Sequence, residues 1–384
     1  PIHSSTMPLP HGVYRADHVG SFLRSPAVLE ARTKAANGDI TAAELRKVED
    51  EAITYVANKQ IENGLRSVTD GEFRRAYFHL DFLKHLAGIE EKGQVGNIRH
   101  KDGFSPPTLV VKDKLGHPEA IQVPDFEFLE RAIAQNGGAA TTKVCIPSPT
   151  MVHFRGGRAS IDISAYPDLD VFFEDLARVY QEELASLYDA GCRFVQLDDT
   201  NLAYLCDPDM RKAAETERNE DLSTLPRKYA ELINKAISKR PADMKIGIHL
   251  CRGNYRSKWF ASGGYEPVAE VLFKELNVDA YFLEYDDARS GDFSPLRHLP
   301  AHKVVVLGVM SSKKNALDDK DDIVRRMKEA AAVTPGGLDQ LCLSHQCGFS
   351  STAEGNELSE EEQWAKVRLE VEIAKELWGD DLSV

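Results

Sequence analysis

Four residues have the right chemistry to hold one metal ion. His249 and Cys251 stand two apart in KIGIHLCRG (245–253). In an extended strand, residues two apart point the same way, so an imidazole and a thiol aim at one place while Leu250 faces the other. Glu284 closes DAYFLEYD (279–286), and Cys347 lies within LCLSHQCGFS (341–350). Two sulfurs, one imidazole and one carboxylate suit tetrahedral zinc. A lone H-x-C is more often a core cysteine beside a hydrogen-bonded histidine, but the four together are more specific. Structural zinc is usually gripped by local C-x₂₋₄-C knuckles. Ligands drawn from three separate strands point instead to a catalytic site that activates a thiol, since the thiolate is the nucleophile.

The elements that must position these residues read as alternating strands and helices. Candidate strands are 13–21, 66–72, 143–149, 194–199, 245–253, 279–286, 303–312 and 341–350. Apolar residues at three-and-four spacing predict helices over 41–63, 169–190, 224–239, 265–276, 319–332 and 359–378. This is the pattern of an α/β, (β/α)8 TIM barrel, read as one domain over 1–384. The main insertion falls between the second and third strands, at about 84–140, where TLVVKDKLGHPEAIQV reads as a β-hairpin. Residues 1–12 read as a loose tail with no export signal. No G-x-G-x-x-G follows any strand, which argues against a dinucleotide-binding open sheet.

In a barrel, the C-terminal strand ends carry the active site. They are polar here: His18 and Ser21, Asp70 and Glu72, Asp198 and Asp199. His18 is a candidate acid, base or substrate contact, with a hydrogen-bonded strand-end histidine the equal alternative. Tyr204 and Asp207 are placed to shape a pocket. The formal net charge of −14 disfavours nucleic acid, and no apolar run is long enough to span a membrane. Six cysteines in a chain of 384 residues make no disulfide framework. They suit the cytoplasm, where thiols stay reduced. Cys145, Cys192, Cys206 and Cys342 read as core or supporting residues. The chain is expected to act as a monomer or a homodimer.

The motifs HVGS (18–21), TDGEFRR (69–75), VQLDD (195–199), HLC (249–251), LEYD (283–286) and HQCGF (345–349) occur in the order found in cobalamin-independent methionine synthases. The chain resembles the catalytic barrel of that family over nearly its whole length, without the family's N-terminal half. The resemblance implies zinc on His249, Cys251, Glu284 and Cys347, and homocysteine as the thiol substrate. It places the substrate ammonium on Glu72 and Asp198 and its carboxylate on Ser21 and the backbone near Gly20. Methyltetrahydrofolate or a related carrier would be the methyl donor. Two features depart from the family. The histidine that follows the seventh strand there is absent from GVMSSKKNAL (308–317), where Lys313 stands about in its place, as a candidate proton donor or anchor for an acidic donor tail. The loop PSPTMVHFRGGR (147–158) lacks a tryptophan. Alkyl transfer to another thiol, as in epoxide:thiol transferases, is one alternative. A metal-free decarboxylase-type barrel and a non-catalytic zinc protein are two others.

Overall fold

The computed structural model describes residues 7–92, 108–136, 140–254, 256–258 and 260–382. In chain order the strands are β1 (Ser67–Val68), β2 (Ala87–Lys92), β3 (Thr108–Gly116), β4 (Thr141–Thr142), β5 (Val144–Pro147), β6 (Phe194–Asp199), β7 (Lys245–Leu250), β8 (Ala280–Glu284), β9 (Val304–Met310) and β10 (Leu341–His345). Strands β5 to β10 form one parallel sheet in sequence order. Two further pairings continue it around a ring. Ala16 bridges Leu343 on β10, and β1 pairs in parallel with β4, which runs directly into β5. Residues 18–22 meet 67–71 through hydrogen bonds from Phe22 N–H to Gly71 O and from Thr69 Oγ1 to Gly20 O. This is the TIM-barrel architecture.

Alternation along the strands sorts the side chains into two environments. Ile246, Ile248, Leu283, Val305, Leu307 and Leu343 join the large core against the helices. Their strand neighbours Phe194, Ala280, Phe282, Val304, Val306 and Cys342 form a separate apolar cluster inside the barrel. Further along the same inward faces come Asp198, four residues past Phe194, and Glu284, two past Phe282, with His249 on β7 between them, so the polar site sits on an apolar floor.

The predicted helices appear at Ala42–Glu62, Leu169–Asp189, Leu225–Ile237, Lys320–Val333 and Glu360–Trp378. Thr41 and Ser359 begin two of them with reciprocal capping boxes. The helix expected over 265–276 is present over 266–275, wound as a 3₁₀ turn (Glu266–Val268) that passes through 269–270 into a π-helical turn (Val271–Glu275). Three expectations need correction. The hairpin expected within 108–123 instead pairs β3 with the preceding β2, and Val123–Ala134 is helical, burying Phe126, Leu129, Ala132 and Ile133. Strand 13–21 contributes a single bridge rather than a continuous ladder. The tail is not loose where it is described: Met7 and Leu9 pack against the interior cluster and Val13 is buried in it, because an apolar barrel floor needs a plug.

One glycine ties the fold to the site. Gly308 pairs with Glu284, and a Cβ there would lie 2.4 Å from Gln346 Cα and 2.9 Å from Leu283 O. Those neighbours adjoin Cys347 and Glu284. Gly308→Ala is therefore expected to cost about 1–3 kcal/mol of stability through overpacking. It should also loosen metal retention. Urea denaturation and metal content check both, and an unchanged midpoint would refute the argument.

Candidate metal centre and adjoining pocket

The ligand atoms of His249, Cys251, Glu284 and Cys347 all lie within 4.8 Å of one another, and all four residues are buried. His249 is on β7 and Glu284 ends β8, whereas Cys251 and Cys347 lie just past the ends of β7 and β10. Cys251 N–H still donates to Asp199 O at 2.8 Å, so the chain keeps its strand direction there. A register shift between Ser344 and His345 precedes Cys347. The two sulfurs are 3.5 Å apart.

The surroundings orient each donor. His249 Nδ1 lies 3.2 Å from Phe282 O, which fixes it as the N–H end. Its Nε2 is buried with no hydrogen-bond partner. Gly253 N–H donates to Cys251 Sγ at 3.3 Å. Glu284 accepts from Arg252 N–H at 3.2 Å and from Arg289 Nη2 at 3.3 Å. Burial opposes its charge, but Lys313, Arg252 and Arg289 together hold its carboxyl below the usual range. The hydrogen bond from Cys251 and the neighbouring imidazole depress the Cys347 thiol against its burial. Burial would lower the His249 imidazole, yet the Cys347 sulfur and nearby carboxylates carry it up to about 9. An orphaned imidazole nitrogen facing two sulfurs and a carboxylate fits zinc.

Beside the four lies a pocket of about 630 Å3 of empty space, lined by Glu72, Asp198, His249, Cys251 and Cys347 and by aromatic side chains that include Tyr77, Phe78 and Phe260. Oxygens of Glu72 and Asp198 and the sulfur of Cys145 also lie within 4.8 Å of one another. No ion pair within 4.0 Å joins either acid to an arginine among the described residues; Arg74 instead pairs with Glu49 and Asp50. Gln196 Nε2 donates to Asp198 at 2.7 Å, while Glu72 Oε2 is buried and unpartnered. Burial, opposed by Arg75 and reinforced by Asp198, pushes the Glu72 carboxyl up to about 8. Burial likewise raises Asp198 to about 6. Glu72 also adopts φ 62°, a strained backbone for a residue with a side chain. Gly20 passes close by, and a Cβ there would meet Cys145 Sγ at 2.8 Å.

Three predicted residues stand apart from the cavity wall. Ser21 Oγ accepts from Ser350 N–H at 3.2 Å and packs against Gly348, next to Cys347. His18 Nε2 donates to Ser67 O at 2.8 Å, linking the first two strands of the ring, and burial holds it neutral. Lys313 Nζ is buried without a partner behind Glu284. His18 and Lys313 thus do not line the pocket as proton donors would. Tyr204 lines it, whereas Asp207 caps the helix Pro208–Glu217. Sequence reasoning missed His79, Arg155 and Asn254, which do line it. His79 and Arg155 follow the quoted motif TDGEFRR and the third strand by a few residues, the one signal that pointed to them.

Residues 15–376 match the family described as cobalamin-independent synthase, catalytic domain. A Bacillus subtilis (strain 168) protein, YxjH, is 45% identical over 95% of both chains and has no assigned activity in its name. A methionine synthase of Pyrococcus abyssi is 24% identical over 81% of this chain and 80% of its own length. The crystal structure of a candidate vitamin-B12-independent methionine synthase from Listeria monocytogenes superposes with a TM-score of 0.77 at 38% identity, covering 97% of this chain and 99% of its own.

Proposed function

The chain belongs to the cobalamin-independent synthase catalytic-domain family, and from that premise we propose that it is a zinc-dependent methyltransferase converting homocysteine to methionine. Methyltetrahydrofolate or a related carrier is the donor in this reading. The observation that carries it is the convergence of four buried ligands beside a pocket holding two buried, unpaired acids.

His249, Cys251, Glu284 and Cys347 would hold the ion. Bound there, zinc would supply the positive charge that favours a substrate thiolate near neutral pH. Glu72 and Asp198 hold the substrate ammonium, which replaces the proton that Glu72 otherwise carries. The backbone at Gly20 faces the carboxylate, and Ser21 supports it from behind the cavity wall, where its Oγ accepts from Ser350 N–H. Aromatic side chains of the pocket exclude water from the reacting atoms. The substrate sulfur then forms its bond to the methyl carbon as the bond from methyl to carrier breaks. The electron pair of that bond leaves with the carrier, which takes up a proton. Lys313 acts through Glu284, keeping it ionised, and His18 braces the strand that carries Ser21.

The paired acids favour an amino-acid thiol over a sulfonated one, which has no ammonium to offer. Among the described residues no helix is long and apolar enough to cross a membrane, and a cytoplasmic location remains part of this reading. The test is zinc content of the purified protein, followed by calorimetric titration with L-homocysteine in buffers of different ionisation enthalpy. About one zinc per chain and binding with net proton release are expected. Zinc without homocysteine binding would transfer the assignment to another thiol, and a protein with no affinity for zinc would refute it.

A further inference from the structure

Lys143, which immediately precedes β5, pairs with Asp17 at 2.8 Å inside the barrel, and neither side chain reaches solvent. Its Nζ lies 4.5 Å from the centre of the Phe282 ring, in the apolar floor. A buried ion pair gains little over apolar residues of the same size, so stability alone does not account for it. An ammonium has three hydrogens to give. One goes to Asp17 Oδ1, one to the His18 carbonyl, and one to Gln196 Oε1 at 3.2 Å.

That third bond fixes which way the Gln196 amide points. Gln196, on β6, is wholly buried. With Oε1 on the ammonium, Nε2 gives one hydrogen to Val19 O at 2.7 Å and the other to Asp198 Oδ1 at 2.7 Å. A flipped amide would set its NH2 against the ammonium and its carbonyl against a carbonyl and a carboxylate, so only one orientation satisfies all four groups. Val19 and Asp198 line the metal pocket, whereas Gln196 and Lys143 stand behind its wall. Val19 adjoins Gly20, whose backbone faces the substrate carboxylate in the reading above, and Asp198 meets the ammonium. One buried amide therefore ties together the supports for two opposite charges of one substrate. It occupies Oδ1 of Asp198 and leaves Oδ2 free of hydrogen bonds among the described residues. Burial raises the Asp198 carboxyl, and His249 and the Gln196 bond oppose that rise, which favours the anion an ammonium needs.

We propose that Gln196 and Lys143 are positioning residues that make the pocket selective for a thiol carrying an ammonium group. The proposal rests on the homocysteine reading above. Asp17 anchors Lys143, Lys143 sets the Gln196 amide, and the amide holds Asp198 in one rotamer at a fixed distance from the backbone beside Gly20. None of the three touches substrate. They act through Asp198 and Val19.

The test is calorimetric titration of zinc-loaded full-length protein with L-homocysteine and with 4-mercaptobutanoate, which keeps the thiol and the carboxylate and lacks the ammonium. The parent is expected to prefer homocysteine by at least about tenfold. Gln196→Met keeps the length of the side chain and cannot donate, so Asp198 loses its tether. That variant should prefer homocysteine by no more than about threefold. Loss of the Val19 tether weakens both thiols and cancels in the ratio. KM for homocysteine should rise at least about tenfold while kcat stays within about threefold of the parent. Asp17→Asn combined with Lys143→Met removes the ion pair whole and frees the amide to flip, so its preference should fall between. Should Gln196→Met fail to fold, this double variant carries the test. Cys342→Ser disturbs the same barrel interior without touching the amide, and it should keep the parent's preference. A parent-like preference in Gln196→Met, or an equal loss of preference in Cys342→Ser, overturns the proposal and leaves the homocysteine reading standing. A zinc-loaded parent that binds homocysteine no better than 4-mercaptobutanoate sinks that reading itself, and the positioning role with it.

Discussion

A Cys347→Ser protein is expected to retain under ~0.1 zinc per chain and to lose methyl transfer by at least about 10³-fold. Serine oxygen is a poor zinc ligand at neutral pH. Cys347 is also the thiol that its surroundings already push toward thiolate, through the Cys251 hydrogen bond and the His249 imidazole. Binding linkage gives a readout independent of activity. A ligand at a thousandfold excess over Kd stabilises the folded state by about 4 kcal/mol. The parent melting temperature should therefore rise with added zinc, and that of the variant should not. Cys342→Ser is the matched control. That thiol is equally buried but lies in the apolar interior of the barrel, so its loss should lower stability and leave zinc content intact. Zinc retention by Cys347→Ser, or zinc loss in Cys342→Ser, would overturn the ligand assignment.

The convergence of His249, Cys251, Glu284 and Cys347 was legible in sequence because barrel strands convert linear order into a ring. His249 and Glu284 needed only the period of two and adjacent strands to share a mouth. Cys251 and Cys347 were found for a looser reason. Both lie past the last ladder pair, and Cys347 follows a register shift that no residue pattern announces. The role of Gly308 in letting that shift sit against Glu284 is likewise invisible without coordinates, since a glycine inside VVVLGVM reads only as a weak point in a strand.

Errors cluster where local pattern and tertiary setting disagree. AGIEEK carries too little alternation to read as a strand, so β3 was paired with the wrong neighbour. The helix that apolar spacing suggested over 265–276 does form over 266–275, but its winding changes from 3₁₀ to π along its length, which no residue pattern announces. The partners of His18 and Lys313 depend on distances across the ring. From sequence each was a polar residue at the functional face, and only the geometry turns one toward Ser67 and the other toward Glu284.

Glu72→Gln should separate function from stability with opposite signs. Glu72 is buried, its Oε2 is unpartnered, and its carboxyl titrates at about 8. A group whose folded pKa is raised contributes its stability fully below the unfolded value of 4.5 and loses it as pH rises through about 8. The metal-free parent protein should therefore weaken across that window, as an anion forms in a buried pocket where Arg75 and Arg24 offset the cost of burial only in part. Glutamine keeps the shape and cannot ionise. The variant should match the parent near pH 4.5 and exceed it above pH 8 by no more than about 5 kcal/mol, less where Asp198 shares the proton. Homocysteine affinity of the zinc-loaded protein should move the other way, falling about 100-fold because a charged acceptor of the ammonium is gone. The parent should also bind homocysteine more tightly as pH rises toward 8, a trend the variant lacks. Denaturation midpoints and calorimetric titrations at pH 5, 7 and 8.5 measure both. A stability difference that does not change with pH, or unaltered homocysteine affinity, would remove Glu72 from the substrate site.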